Sequence, residues 1–154
     1  KSQQDKANEG AKQEGQAHGG QRQKNRRERF SASLRDSAVQ GDVAAQYRLA
    51  RCYANGWGVE EDDAEAVAWY RRAAEQGCAQ SQENLGWSYF NGIGTPKDDI
   101  EAYMWFDLAA GQRPSAEDAR GRVGKSMSES SVLEAKRRSE FLLSILNRRR
   151  TQET

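Results

Sequence analysis

The chain has 154 residues, which is enough for one domain of ordinary size. Its mean hydropathy is −1.03 and 31% of its residues are charged, and because no apolar run reaches membrane-spanning length we predict no transmembrane helix. The hydrophobic share of 36% is low for a compact globule and indicates an elongated protein with a thin core. The net charge is +1, with two basic ends and an acidic middle.

The N-terminal stretch is polar. Residues 1–24 read KSQQDKANEGAKQEGQAHGGQRQK, with no aromatic residue and no aliphatic residue larger than alanine. Such a segment cannot bury enough apolar surface to offset the entropy that it loses on ordering, so we predict a disordered polar tail. Farther along, Phe30, Leu34 and Ala38 follow one another at intervals of four, which predicts a capping helix over 25–40.

The middle of the chain repeats itself. Residues 55–74 read NGWGVEEDDAEAVAWYRRAA, and residues 91–110 read NGIGTPKDDIEAYMWFDLAA. In each copy a breaker with two glycines ends one helix, and an aspartate, Asp62 or Asp98, is predicted to cap the next helix. Ala66 and Ala102 match within these strings, and further matching positions lie outside them: Gly41 and Gly77, Leu49 and Leu85, and Tyr53 and Tyr89. We therefore predict helix–turn–helix repeats over 41–76 and 77–112.

The repeats predict the fold class. One helix–turn–helix unit cannot cover its own apolar face, whereas stacked units cover one another, as in a solenoid. Residues 25–40 match the second helix of an incomplete first unit, and a degenerate C-terminal cap over 115–149 includes a long helix that begins at Ser128. We predict an all-α domain over 25–150: a right-handed α/α solenoid of stacked helix–turn–helix repeats with N- and C-terminal capping helices.

Few residues suit catalysis or metal binding. The single histidine, His18, lies in the polar tail, and the two cysteines form no metal motif. Cys52 lies late in one predicted helix, and Cys78 lies at the start of the corresponding helix of the next unit. Their positions along these matching helices differ by about ten residues, on the order of 15 Å, so we predict two free thiols with Cys52 buried. The carboxylates of 60–63 and 98–99 recur in both copies, which favours helix capping over cation binding or acid–base catalysis. We predict no catalytic residue, no cofactor and no metal.

Two stretches of the chain, LARCYANGWGVEEDDAEAVAWYRRAAEQG and LGWSYFNGIGTPKDDIEAYMWFDLAA, resemble the Sel-one-like repeat family, a relative of the tetratricopeptide repeat. The family pattern has Leu-Gly, Tyr, Gly-x-Gly-Val, Asp, Ala, Trp-Tyr, Ala-Ala and Gly at this spacing, and the chain departs from it at Ala50, Thr95 and Phe106. The segment AEDARGRVGKSMSESSVLEAKRRSEF is similar to the C-terminal cap of bacterial members, so the resemblance covers roughly residues 30–141.

The resemblance implies an adaptor function. Members of this family generally hold peptides or other proteins in envelope assembly, secretion, virulence and quality control. A cysteine-rich bacterial branch is linked to penicillin binding and β-lactam hydrolysis, and it places a cysteine on each of two facing helices in every repeat. Cys52 and Cys78 do not follow that layout. For the compartment, the resemblance leaves the bacterial periplasm or envelope and the cytoplasm open.

The first helix of each pair is predicted to line the concave side of the stack. Residues of these helices that lie off the packing stripe form the predicted partner-binding set: Tyr47, Arg51, Asn55, Gln80, Glu83, Trp87 and Asn91. Aromatic and arginine side chains carry much of the energy of interfaces, and asparagine amides can pair with a peptide backbone. These features favour a non-catalytic protein–protein interaction module that binds a partner protein or peptide.

Other interpretations of the sequence stay open. The predicted partner-binding residues could be only solvated, and the protein could be a β-lactam-binding or β-lactam-hydrolysing enzyme. The basic ends could bind nucleic acid or another anionic surface. Almost no aromatic residues interleave with those basic stretches, and glutamates interrupt them, so nucleic acid is the less favoured partner.

Overall fold

The computed structural model describes residues 3–153, with side chains from Gly19 onward. This part of the chain contains seven helices and no strand: α1 (Gln3–Val39), α2 (Val43–Asn55), α3 (Asp63–Ala74), α4 (Ala79–Asn91), α5 (Asp99–Ala110), α6 (Pro114–Gly124) and α7 (Glu129–Gln152). Each helix from α1 to α5 packs on the next one along the chain, and α5 packs on both α6 and α7. The predicted all-α, right-handed solenoid with capping helices is confirmed.

The predicted N-caps form in both repeats. The carboxylate of Asp62 accepts a hydrogen bond from the backbone N–H of Glu65 at 3.0 Å, and Asp98 accepts one from the N–H of Glu101 at the same distance. These bonds satisfy donors that the first turn of a helix leaves unpaired, and the negative charge suits the positive end of the helix dipole. The carboxylates that recur in the two copies therefore set where α3 and α5 begin.

The turns between paired helices also recur. Gly56 and Gly92 end α2 and α4 with φ near 65°, a left-handed conformation that glycine adopts at little cost. Gly58 and Gly94 have φ of 71°, and each lies tightly against the helix of the preceding unit. The two-glycine breakers are thus turns whose second glycine also lets one unit approach the next.

The core runs along the stack as one cluster. Leu49 and Leu85 are both fully buried, which confirms that they occupy matching sites in the two units. Gly86, on α4, lies under the ring of Phe106, and a Cβ there would come within 2.7 Å of the ring. The small residue therefore lets α4 and α5 approach closely, and Phe106 is itself fully buried.

A buried glutamine ties each unit to the one before it. The side-chain amide of Gln46 donates to the carbonyl of Ala38 at 3.1 Å, and that of Gln82 donates to the carbonyl of Ala74 at the same distance. Both carbonyls lie near the C-terminal end of a helix, where backbone acceptors lack intrahelical partners. The carbonyls of Ala38 and Ala74 thus accept equivalent hydrogen bonds. The C-terminal part of α1 therefore takes the position of the second helix of an incomplete unit.

The N-terminal helix is longer than the sequence predicted. It begins at Gln3, whereas we expected a helix only over 25–40 after a disordered tail. Glutamine, lysine, glutamate and alanine are good helix formers, which accounts for the helical backbone. Every residue from Gly19 to Phe30 is exposed, although the backbone of Arg27 contacts Gly58, and the first buried residue is Ser31. Since an unpacked helix is marginal in water, disorder of residues 1–24 in solution stays a prediction.

The last two helices close the far end of the stack through Asp107 of α5. Its carboxylate accepts a hydrogen bond from Arg120 of α6 at 2.6 Å and another from the hydroxyl of Ser139 of α7. The bond to Asp107 is the main cause that raises the pKa of Arg120. Farther along α7, Arg149 reaches the carbonyl of Glu75 at 3.5 Å. The C-terminal helix therefore extends from the last complete repeat back to the end of α3.

Candidate partner-binding face

The first helices of the two repeats, α2 and α4, carry side chains that are exposed or only partly buried. We call this surface the α2–α4 face and define it by Tyr47, Arg51, Asn55, Asn84, Trp87 and Asn91. It contains five of the seven residues that the sequence predicted for partner binding, together with Asn84. The remaining two predicted residues, Gln80 and Glu83, lie toward the N-terminal end of α4 and differ from each other in their surroundings.

Arg51 lies between two aromatic rings on the α2 half of this face. Its guanidinium carbon is 5.3 Å from the centroid of the Trp57 ring and 5.9 Å from that of Tyr47. Tyr47 in turn lies 6.2 Å from Tyr70 of α3. These cation–π contacts hold an exposed arginine in one place without neutralising its charge. Trp57, which is 46% exposed, was not among the residues that the sequence predicted for this face.

Trp87 is partly a packing residue, contrary to the expectation that it lies free of the core. Its ring makes an edge contact with Phe106, with centroids 5.0 Å apart, and another with Phe90 at 5.9 Å. The side chain is half-buried and belongs to the edge of the core cluster. Comparison of the two copies gives no sign of this contact, because the residue of the first copy that matches Trp87 is an arginine, Arg51.

Glu83 is not available to a partner, and the expectation that it lies off the packing stripe is wrong. It is 9% exposed and forms an ion pair with Arg113, in the turn after α5. Gln80 is exposed, and its carbonyl oxygen lies 3.6 Å from the sulfur of Cys78. The Glu83–Arg113 pair holds the start of α4 against the turn that follows α5, so it has a structural role.

The two asparagines of the predicted set end the two first helices. Asn55 is exposed and donates from its side chain to the carbonyl of Arg51 at 2.8 Å. Asn91 is exposed at the matching place in the second repeat. About two turns before Asn91, Asn84 donates to the carbonyl of Gln80 at 2.8 Å. The amides of Asn55 and Asn84 keep an oxygen atom with which they can accept hydrogen bonds from a ligand.

Two hollows adjoin this face, the first of them through Trp57, which contacts Arg51. The first hollow, of about 230 Å³, is lined by Arg27, Phe30, Cys52 and Trp57. The second hollow, of about 150 Å³, lies between α2, α3 and α4. Its lining residues are Ala54, Asp63, Ala66, Tyr70, Asn84, Trp87, Ser88, Asn91 and Ile93. Every residue of the first hollow has its repeat partner in the second, so the two hollows are one feature of the repeat that occurs twice.

Burial raises the pKa of two ionisable groups that line these hollows, Cys52 and Tyr70. Desolvation raises the pKa of the Cys52 thiol, and the charge of Arg51 offsets part of this effect. Desolvation also raises the pKa of Tyr70 to about 12, with Tyr47 adding to the shift and Arg51 opposing it. Both groups are therefore neutral at physiological pH, so the floors of the hollows carry no ionised thiol or phenol.

Three structural findings bear on other kinds of site or on membrane insertion. Among residues whose side chains the structure describes, no three His, Cys, Asp or Glu side chains converge as metal ligands would. Cys52 and Cys78 are both free, as the sequence predicted, and Cys52 is buried. No described helix has the length and apolar character that crossing a membrane requires.

The stacked helix pairs and their repeated face define a helical repeat protein of the solenoid class. The family model of the Sel1 repeat matches residues 43–78 and 79–113, so the chain carries two Sel1 repeats, and the resemblance seen in the sequence is confirmed. No curated protein matches the chain in sequence comparison.

Solved structures show the same fold. One is the protective antigen c5321 of uropathogenic Escherichia coli strains, which displays an SLR fold; it is 29% identical with a TM-score of 0.73, and the match covers 76% of this chain and 26% of that one. Another is a Sel1 repeat protein from Oxalobacter formigenes, 32% identical with a TM-score of 0.60, where the match covers 68% of this chain and 42% of that one. The chain thus spans less than half of either protein.

Proposed function

We propose that this protein is a non-catalytic adaptor that binds a partner protein or peptide on the α2–α4 face. Sel1 repeat proteins typically mediate protein–protein interaction, which supports the general class. The observation that carries the choice of face is Arg51, which lies exposed between Tyr47 and Trp57. Aromatic and arginine side chains placed together in this way are the usual source of binding energy in protein interfaces.

The chemistry of the face favours binding over catalysis. A nucleophilic mechanism needs a nucleophile and a base within hydrogen-bond reach of each other. Cys52 is the thiol nearest the hollows, and burial raises its pKa, which opposes formation of a thiolate. The basic side chain whose charge acts on this thiol is Arg51, and a guanidinium stays protonated and cannot act as a base. An adaptor needs none of these groups to react.

Photocrosslinking tests the proposal directly. A photoreactive amino acid at position 55, on the exposed rim of the face, is expected to trap a partner in cells of the native host, and mass spectrometry identifies the trapped protein. Arg51→Glu and Trp57→Ala should lower the crosslinked yield by at least about tenfold, because each removes part of the exposed anchor. Arg137→Glu, on the exposed side of α7, is the matched control and should leave the yield unchanged.

Two readouts keep this test interpretable. Thermal unfolding of each variant is expected to match wild type, since Arg51 and Trp57 are exposed and lie outside the core. A crosslinked yield that is equal in wild type, Arg51→Glu and Trp57→Ala would show that the partner binds elsewhere. Hydrolysis of the chromogenic β-lactam nitrocefin by purified wild type would instead support the enzyme interpretation.

A further inference from the structure

The two hollows of the α2–α4 face carry apolar walls that nothing in the described chain covers. In the first hollow, Phe30 is 57% exposed and Trp57 is 46% exposed. In the second hollow, Ile93 is 49% exposed and stands beside the half-buried ring of Trp87. Scattered exposed apolar residues are ordinary, but here they line concave sites at matching repeat positions, which is the arrangement expected of side-chain pockets.

The volumes of the hollows suit single side chains. A cavity of about 150 Å³ with apolar walls can hold a ring the size of benzene, and the two hollows measure about 150 and 230 Å³. Polar side chains, Asn55, Asn84 and Asn91, lie around and between them. A helical ligand lays one continuous apolar stripe into a groove, whereas an extended peptide places separate side chains in separate pockets. The interrupted apolar surface therefore favours an extended ligand.

The repeat sets the spacing between the anchors of such a ligand. Neighbouring helices in a stack pack about 8–10 Å apart, and α2 and α4 both line the second hollow through Ala54 and Trp87. Equivalent points on α2 and α4 are therefore on the order of one such step apart. An extended peptide advances about 3.3 Å per residue. Three residues therefore bridge the distance from the first hollow to the second. A peptide bound across both hollows should carry apolar side chains at positions i and i+3.

The charge of the face gives the peptide a direction. Arg27 lies at the first hollow, and its repeat partner at the second hollow is Asp63. Two more arginines, Arg48 and Arg51, lie on the exposed side of α2. Within the part of the chain whose side chains are described, none of these three arginines has a carboxylate within 4.0 Å. Arg27 and the neighbouring Arg51, which contacts Trp57, thus give the first hollow uncompensated positive charge, and Asp63 gives the second hollow a carboxylate.

We infer that the α2–α4 face binds an extended peptide segment with apolar side chains at i and i+3, an acidic residue beside the first of them and no acidic residue beside the second. The arginines around the first hollow receive the acidic side chain. Asp63 repels an acidic side chain at the second hollow and accepts a basic one. Opposite charges at the two ends would admit one peptide direction and discourage the reverse. This inference rests on the proposed function, whose face it specifies.

Selection from a peptide library tests this inference without knowledge of the natural partner. A displayed library of random nonapeptides is selected against the full chain, and enriched peptides are resynthesised with a fluorescent label for anisotropy measurements. The expected result is enrichment of two apolar residues three positions apart, with aspartate or glutamate next to the first. Enrichment of apolar residues at another spacing, such as seven, or no enrichment at all would overturn the inference.

A charge swap tests the direction. For an enriched peptide, Arg51→Glu should weaken binding by at least about tenfold, and a peptide with lysine in place of its acidic residue should then bind this variant more tightly than it binds wild type. Arg122→Glu, on the exposed side of α6, is the matched control and should leave both peptides unaffected. Loss of binding by Arg51→Glu without this inversion would contradict the role of charge.

Identifying the natural partner and the segment through which it binds distinguishes failure of this inference from failure of the proposed function. If the partner trapped from position 55 is bound through a segment that lacks the i and i+3 pattern, the inference fails and the adaptor function stands. If selected peptides have the pattern but no cellular partner crosslinks to the face, the adaptor function fails and the specificity of the hollows stands. Neither result depends on folding, since the same thermal unfolding measurement checks every variant.

Discussion

Gly94 lies directly against the backbone carbonyl of Asp63, at the N-terminal end of α3 in the preceding repeat. In the same way, Gly58 lies against the carbonyl of Arg27 in α1. Both glycines have φ of 71°, in the left-handed region that other residues rarely adopt. The pair of contacts shows that α1 takes the place of a second helix in the stack, although its unit has no first helix among the described elements.

Gly94→Ala is expected to lower the unfolding free energy by about 2 to 4 kcal/mol, because the new Cβ would overlap the Asp63 carbonyl and force an alanine to positive φ. Urea unfolding followed by circular dichroism measures the change. Gly121→Ala is the matched control, since Gly121 lies in α6 with open space around it. That variant should be neutral or up to about 1 kcal/mol more stable. Equal effects in both variants would contradict the close approach at Gly94.

Much of the fold could be predicted from sequence because its key contacts recur. The caps at Asp62 and Asp98, and the matched burial of Leu49 and Leu85, each appear twice in the chain at one spacing. A pattern seen twice distinguishes a structural requirement from chance. The start of α1 at Gln3 could not be predicted in this way, because no second copy of that segment exists.

The candidate site was harder to predict, because it depends on contacts that differ between the repeats. Glu83 pairs with Arg113, which lies thirty residues away, and periodicity gives no sign of this contact. The same is true of Trp87, whose ring meets Phe106. Phe30 was assigned to a packing stripe, yet it is exposed because α1 has no first-helix partner to cover it. The repeat alignment carries one sign of this exposure. It matches Phe30 with Ala66, so a large ring stands where the next unit buries a small residue.

Asp107→Ala should destabilise the C-terminal end of the stack by about 1 to 3 kcal/mol. The substitution leaves Arg120 and the buried hydroxyl of Ser139 without their shared acceptor. Asp36→Ala, at an exposed position of α1, is the control and should stay within about 0.5 kcal/mol of wild type. Chemical denaturation of the three proteins side by side gives the comparison, and an Asp107→Ala protein as stable as the control would refute the bridging role.

The two thiols should react at different rates. Cys78 is partly exposed, whereas Cys52 is 4% exposed and burial raises its pKa, so its reactive thiolate is scarce. With Ellman's reagent at neutral pH we expect one equivalent to react at least about tenfold faster than the other. Cys78→Ser should abolish the fast phase, and urea should release the slow one. A fast phase that survives Cys78→Ser would mean that the first hollow opens to expose Cys52.

Limited trypsin digestion should cut the N-terminal part of α1 first. The cleavage sites Arg22, Lys24 and Arg26 are exposed and precede the contact between Arg27 and Gly58, and an unpacked helix opens readily. We expect a resistant fragment that begins near Arg27 and keeps the melting temperature of the intact chain. The exposed arginines 148–150 serve as a comparison, because Arg149 contacts the Glu75 carbonyl and should slow cleavage there. Resistance of Arg22, Lys24 and Arg26 together would show that this segment packs on something in solution.

Tyr70 should make the free energy of unfolding fall with rising pH in the alkaline range. Its pKa in the folded protein is about 12, above the ordinary value of 10, mainly because burial disfavours the phenolate. Its contribution to stability is therefore complete below about pH 10 and is lost as the pH rises toward about 12, by about 1.4 kcal/mol per pH unit at most. Tyr70→Phe removes this ionisation and should flatten the decline. Urea unfolding of both proteins at pH 8, 10 and 11 measures the slopes, and parallel declines would exclude Tyr70 as the source.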